Sequence, residues 1–200
     1  MPGESFKSFH EITAPDPRNV HWVLVDRITG ARRQITLTDV HADLEALELS
    51  ESVPIHIREH FLTARHLALY SWFVYSFHMP AQTQALASLE YALRERFAEL
   101  GFVVPTSLRN QLEYAIKHRL LRNERFRDWP GHGVDQENAD WEWLNSWAQR
   151  LPESISYMRN EFAHGTFAVL PYGTLLRLIA DAINQLYDQE MLRNSVVSVP

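Results

Sequence analysis

The chain has 200 residues, a formal net charge of −6, no cysteine and 46% hydrophobic residues. This length and hydrophobic content fit one globular domain, with or without a small appendage. The absence of cysteine excludes disulfide bonds and thiolate metal ligands, so only His, Asp and Glu remain as ligands for a metal. The negative net charge excludes a surface that binds polyanions in general.

The apolar segments of the sequence predict a protein outside the bilayer. Residues 1–12 contain no apolar core of a secretory signal. The longest nearly apolar run, from Leu67 to Phe77, is much shorter than the about 20 residues that a membrane-spanning helix needs. We therefore expect no transmembrane segment and a cytoplasmic location.

The N-terminal part of the chain predicts an irregular arm followed by a β-hairpin. Residues 1–19 are polar and contain several prolines, which is typical of an arm. Two runs rich in β-branched residues follow within residues 20–37, and Gly30 between them suits a tight reversal. Residues 39–49 then predict a short helix.

From Pro54 onward the apolar residues recur with helical spacing, which predicts a mainly α bundle of about five helices. We expect a break at His78-Met79-Pro80, because proline does not fit a helix interior. We also expect Gly101 to follow the end of one helix, Thr106 or Ser107 to cap the start of the next, and Gly165 to cap a later helix end. The predicted helices cover 55–78, 81–100, 108–120, 141–150 and 152–164, and a last one begins near Thr174.

These elements divide the chain into three predicted parts. The arm and hairpin occupy residues 1–50, and the helical bundle occupies residues 51–194. A tail follows over residues 195–200. Neither an internal repeat nor a low-complexity tract is visible in the sequence.

The end of one predicted helix carries the most specific chemical pattern. It reads SYMRNEFAHG and contains Arg159, Asn160 and His164, with four residues between the arginine and the histidine. A bare Arg-x4-His pattern should occur about once by chance in such a chain, so the asparagine and the helix-end position add the specificity. The pattern resembles that of the HEPN superfamily, helical-bundle proteins of which many are metal-independent ribonucleases.

This resemblance, which covers about residues 54–189, implies cleavage of RNA by attack of its own 2′-hydroxyl on the neighbouring phosphorus. It implies no cofactor and no metal. His164 would move a proton, Arg159 would stabilise charge on the phosphoryl oxygens, and Asn160 would orient the phosphate or the histidine. The resemblance further implies a toxin or abortive-infection effector that works with an antitoxin or another defence partner.

Helix geometry favours a homodimer for such a site. Five residues of an ideal helix turn through about 500°, so Arg159 and His164 lie about 140° apart around the axis. Two copies related by a two-fold axis can bring these side chains together in one cleft. In some toxins of this family a tyrosine two residues after the histidine receives a nucleotide from the antitoxin, and here that position is Thr166.

A structural interpretation of the same residues stays open. Arg159 would then pair with a carboxylate such as Glu153 or Glu161, and His164 would only cap its helix. In that case the chain is a non-catalytic HEPN-like module that binds a protein or a nucleotide.

A second motif lies in His56-Ile57-Arg58-Glu59-His60, which has the H-x-x-E-H form of inverted zinc proteases. On a helix His56 and His60 share a face, and Glu59 would be the base. The motif lacks a convincing third ligand, because Glu90, Glu95 or Glu113 would have to serve. A polar first turn of a core helix is the alternative.

Three further features bear on RNA. Lys117, Arg119 and Arg122 belong to the densest basic stretch and could hold an RNA backbone, or could be solvated and paired with Glu113 and Glu124. Three tryptophans could stack on bases or serve as core or dimer contacts, namely Trp141, Trp143 and Trp147. Glu90 and Arg94 could form an inward polar pair near the motif or an ordinary surface pair.

Overall fold

In the computed structural model, the described residues are 6–26, 29–134, 140–164 and 173–188. They form seven α-helices and one two-stranded antiparallel sheet, which confirms a mainly α chain with an N-terminal hairpin. The strands are β1 (Val23–Val25) and β2 (Arg32–Gln34). The helices are α1 (Leu37–Glu45), α2 (Ile55–Tyr70), α3 (His78–Glu99), α4 (Leu108–Lys117), α5 (Trp141–Asn145), α6 (Leu151–Ala163) and α7 (Thr174–Leu186).

The five longer helices build the bundle around α3. Helix α3 packs against α2, α4, α6 and α7, and its Leu89, Leu93 and Phe97 are fully buried. The short α1 adds Val40 and Leu44 to the same hydrophobic core. Helix α7 is buried along nearly its whole length, whereas α6 keeps one face exposed. No helix of the described residues is long and apolar enough to cross a bilayer.

The predicted break at His78-Met79-Pro80 is wrong. Helix α2 ends at Tyr70, and α3 begins at His78, so the interruption comes earlier in the chain. Pro80 lies in the first turn of α3, where its missing N–H removes no intrahelical hydrogen bond. The interruption is stabilised by the arm, because Asn19 Nδ2 donates to the carbonyl oxygens of Ser71 and Trp72 at 2.9 Å each.

The helix ends follow the predicted local signals where these are described. Ser107 caps α4, with its hydroxyl accepting the Asn110 N–H at 3.2 Å. Gly101 follows α3 with a φ of 70°, the left-handed region that favours glycine. The predicted cap at Gly165 and the predicted tail 195–200 lie outside the described residues.

The predicted helix over 141–150 is interrupted. Helix α5 stops at Asn145, and a separate 3₁₀ turn covers Ala148–Arg150 before α6 begins. Asn123 holds this junction, because its Oδ1 accepts the Ala148 N–H at 2.7 Å and its Nδ2 donates to the Asn145 carbonyl at 2.8 Å. Side-chain contacts from a distant segment therefore end α5.

Candidate functional site

Helix α6 presents the motif on its outer face. Pro152 lies in its first turn, while Ile155 and Phe162 are buried where α6 packs against α4 and α3. The opposite face is exposed and carries Arg159 and Asn160. The apolar spacing that buries one side of the helix thus turns the motif toward solvent.

Arg159 and Asn160 line an open groove of about 570 Å³ between α6 and the N-terminal end of α4. Thr106, Ser107 and Arg109 line its α4 side. The spacing within α6 pointed to Arg159 and Asn160, but the α4 residues were missed by sequence reasoning. Only the packing of two helices separated by a long connection brings them there.

His164 is placed apart from this groove. It is the C-cap of α6, and its backbone N–H donates to the carbonyl oxygens of Asn160 at 3.0 Å and Glu161 at 3.2 Å. Its side chain is exposed and is not among the described residues that line the groove. One chain therefore brings Arg159 and Asn160 together, but leaves His164 at the helix end.

The guanidinium of Arg159 is unpaired within the described part of the chain. Neither Glu153 nor Glu161 forms an ion pair with it, and the described contacts give His164 no side-chain hydrogen bond either. Of the other charged side chains that line the groove, Arg109 and Glu90 are paired along their own helices, and Glu153 has no ion pair among the described residues. Arg109 Nε lies 2.9 Å from Glu113 Oε1, and Arg94 Nη2 lies 3.4 Å from Glu90 Oε1.

Hydroxyl and amide groups complete the lining of the groove. Tyr157, one turn before Glu161, is 64% exposed, and the buried Ser156 hydroxyl has no hydrogen-bond partner among the described residues. A free guanidinium with adjacent amide and hydroxyl donors suits an anionic oxygen ligand such as a phosphodiester. Glu90 also lines the groove, so the pair with Arg94 is an i,i+4 pair at the edge of the site.

The basic stretch lies at the other end of α4. Lys117 is exposed in the last turn, Arg119 follows the helix, and Arg119 and Arg122 line a second groove of about 450 Å³. The expected pairing with Glu113 and Glu124 is not observed among the described residues. The neighbouring Arg125 and Arg127 are instead ion-paired, with Asp188 and Asp181.

The H-x-x-E-H residues form contacts between α2 and α3. His56 Nε2 lies 2.6 Å from Glu95 Oε2, and His60 Nδ1 lies 2.8 Å from the Ser88 hydroxyl. The ring of Tyr91 contacts both histidines. Within the described ranges, no group of three His, Asp or Glu side chains is arranged to hold a metal ion.

Of the three tryptophans, one is packed against the core and two are exposed. Trp147 packs against Phe126, with ring centroids 5.2 Å apart, and joins the core. Trp143 is 45% exposed, and the Arg150 guanidinium lies over its ring at 4.7 Å. Trp141 is also exposed, at the start of α5.

Comparison of the chain with protein-family models, with curated proteins and with solved structures gave no match. The motif and the geometry around it therefore carry the functional argument.

Proposed function

We propose that this protein is a metal-independent endoribonuclease whose site contains Arg159, Asn160 and His164. The observation that carries the proposal is the unpaired Arg159 guanidinium beside Asn160 in an open groove. Most other arginines of the described chain are paired with carboxylates, so a free one in a groove is available to an anionic ligand. The HEPN-like pattern of these residues supplies the reaction class.

The proposed reaction is an internal transesterification of RNA. The 2′-oxygen forms a bond to the adjacent phosphorus, and the bond from phosphorus to the 5′-oxygen of the next nucleotide breaks. The products are a 2′,3′-cyclic phosphate and a 5′-hydroxyl. One proton leaves the 2′-hydroxyl, and one is delivered to the departing 5′-oxygen.

Each motif residue has a part in this reaction. The exposed imidazole of His164 accepts or donates one of the two protons, a contribution of about 10²–10⁴-fold in general acid–base catalysis. The planar guanidinium of Arg159 stabilises charge that develops on the non-bridging phosphoryl oxygens. The amide of Asn160 orients the phosphate beside Arg159.

The separation of His164 from the groove supports a composite site in a homodimer. The Arg159 groove of one subunit would receive His164 of its partner, and the exposed outer face of α6 leaves room for that approach. The wider proposal is a cytoplasmic toxin or defence effector, restrained by an antitoxin or another defence protein. Thr166, which bears on that restraint, lies outside the described residues.

A cleavage assay with structured RNA in excess EDTA tests the proposal. We expect cleavage that leaves 2′,3′-cyclic phosphate ends, and loss of this cleavage in His164→Ala. Because only the backbone of His164 is hydrogen-bonded in the described structure, the melting temperature should not change. His10→Ala, at an exposed histidine of the arm, is the matched control and should cleave normally.

Two results would contradict the proposal. The first is the absence of cleavage by the unsubstituted protein, which would favour a non-catalytic binding module. The second is a large fall in the melting temperature of His164→Ala, which would assign His164 to helix capping alone.

A further inference from the structure

We propose that Arg119 and Arg122 form a second phosphate site, which holds a single-stranded RNA beyond the Arg159 groove. This inference rests on the proposed function for the identity of the ligand as RNA. Arg119 and Arg122 would position the RNA strand, because they would contact it away from the phosphate that reacts.

The backbone at Arg119 has the conformation that favours glycine. Its φ is 58°, and it is the one non-glycine residue with positive φ among those described. The Leu120 N–H donates to the Ala115 carbonyl and the Arg119 N–H to the Ile116 carbonyl, both at 2.9 Å, which is the Schellman arrangement of a helix end.

Helix α3 ends in the same way with a glycine. The Phe102 N–H donates to the Phe97 carbonyl at 2.8 Å and the Gly101 N–H to the Ala98 carbonyl at 3.1 Å, so Gly101 occupies the position that Arg119 has after α4. An arginine at this position costs conformational energy that glycine avoids. The chain therefore carries a cation where helix termination alone favours glycine.

Two guanidinium groups that follow α4 and one on α6 are unusual in lacking partners among the described residues. Across the described chain most arginines are ion-paired with a carboxylate, and Arg65 and Arg150 donate to backbone carbonyls. Five arginines have neither kind of contact, and three of these lie along the α4–α6 seam. The five are Arg32, Arg58, Arg119, Arg122 and Arg159.

The second groove has the composition of a phosphate site. Arg119 is exposed, and Arg122 is half-buried, with its Nε enclosed and without a partner among the described residues. Glu124 is the acidic side chain that lines the same groove. Since the Schellman hydrogen bonds occupy the last carbonyls of α4, the two guanidinium groups dominate the local charge.

The two grooves are aligned along one side of the helix pair. The start of α4 lies beside Arg159 and Asn160, and its end lies beside Ala148 and Gln149, so α4 and α6 run antiparallel. Arg109 of the first groove and Ile116 of the second are two turns apart on the same face of α4. From Arg109 to Arg119 the rise is about 15 Å, a length that a short stretch of single strand spans.

Binding of a fluorescein-labelled 2′-O-methyl oligonucleotide, which lacks the attacking hydroxyl, tests the second site in the full chain. We expect Arg119→Gly to weaken binding several-fold for every base sequence, and to reduce the slope of log affinity against log salt by about 0.7. The same substitution should raise the melting temperature by about 2–4 °C, because it relieves the positive φ. Arg32→Ala, which removes an exposed unpaired arginine from the hairpin, should bind like the parent protein.

The outcomes separate this inference from the proposed function. If natural RNA is cleaved but Arg119→Gly binds as tightly as the parent, the second site is refuted and the ribonuclease stands. If binding depends on Arg119 but no RNA is cleaved, the second site stands and the ribonuclease fails. If the parent protein does not bind the oligonucleotide at all, the second site is refuted.

Discussion

Asp181 of α7 engages Arg127 with both of its carboxylate oxygens. Oδ2 accepts the backbone N–H of Arg127 at 2.8 Å, and Oδ1 accepts its Nε at 2.7 Å. Asp181 is only 7% exposed, and burial raises the pKa of its carboxyl, while the contacts with Arg127 act in the opposite direction. The pair therefore ties the segment after α4 to the buried face of α7.

Removal of the Arg127 guanidinium should destabilise the fold. Arg127→Met leaves the buried carboxylate with only a backbone donor, so we expect the free energy of unfolding to fall by about 3 kcal/mol. Urea unfolding followed by circular dichroism measures this change. Arg109→Met breaks an exposed pair with Glu113 and should cost less than about 1 kcal/mol. Equal losses in the two variants would contradict a structural role for Arg127.

The free energy of unfolding should also depend on the protonation of His78, which lies at the start of α3 and contacts Tyr75. Burial lowers the pKa of His78 from its ordinary value near 6.5 to about 4. Between these values the unfolded chain binds a proton that the folded chain does not, so stability is lost as the pH falls from 6.5 toward 4. The loss attributable to His78 reaches at most about 3 kcal/mol.

Urea unfolding at several pH values measures the contribution of His78. We expect His78→Gln to remove most of the pH dependence between 6.5 and 4, whatever its effect on stability at neutral pH. His10→Gln changes an exposed histidine of the arm and should leave the dependence intact. Identical pH profiles for parent and His78→Gln would contradict the assignment.

Local sequence signals predicted the end of α3 and the start of α4, but not the interruption between α2 and α3 or the end of α5. Gly101 and Ser107 act through hydrogen bonds within a few residues, so their effect is visible in a short window of sequence. The interruption at Ser71 is stabilised by Asn19, which is 52 residues away in the chain. Pro80 was the nearest breaker in the sequence, but its place in a first turn makes it compatible with a helix.

The sequence likewise predicts some residues of the candidate site and not others. Arg159, Asn160 and His164 are predicted as site residues because they lie close together at the end of one helix. The opposite wall of the groove could not be found, since Arg109 reaches it only through the packing of α4 on α6. The same packing places the unpaired Arg119 and Arg122 in line with the motif, although the sequence shows them only as part of a basic stretch.

RNA cleavage should require both the planar geometry and the charge of the Arg159 guanidinium. We expect Arg159→Ala to lower the rate of RNA cleavage by about 10²–10³-fold, as for loss of one stabilising donor in a transition state. Arg159→Lys should recover little, because an ammonium lacks the planar fork that contacts two phosphoryl oxygens. Single-turnover cleavage rates measure both, and Arg32→Lys is the control. Full activity in Arg159→Lys would show that charge alone suffices.

A mixture of two inactive variants tests the composite site most directly. If the protein is a homodimer with the proposed composite site, Arg159→Ala and His164→Ala subunits co-expressed with different tags would form heterodimers in which one cleft keeps both Arg159 and His164. If each cleft takes its arginine from one subunit and its histidine from the other, the mixture should regain about a quarter of the parental activity. Heterodimers purified through both tags should regain about half.

Recovery in the heterodimer requires that the two side chains come from different subunits, because neither variant chain contains both. If the purified heterodimer is as inactive as either variant alone, the arginine and histidine of one cleft belong to the same chain. The position of His164 outside the Arg159 groove would then require that the end of α6 moves when RNA binds. The heterodimer assay therefore distinguishes a site assembled by association of two subunits from one assembled by rearrangement within a single subunit.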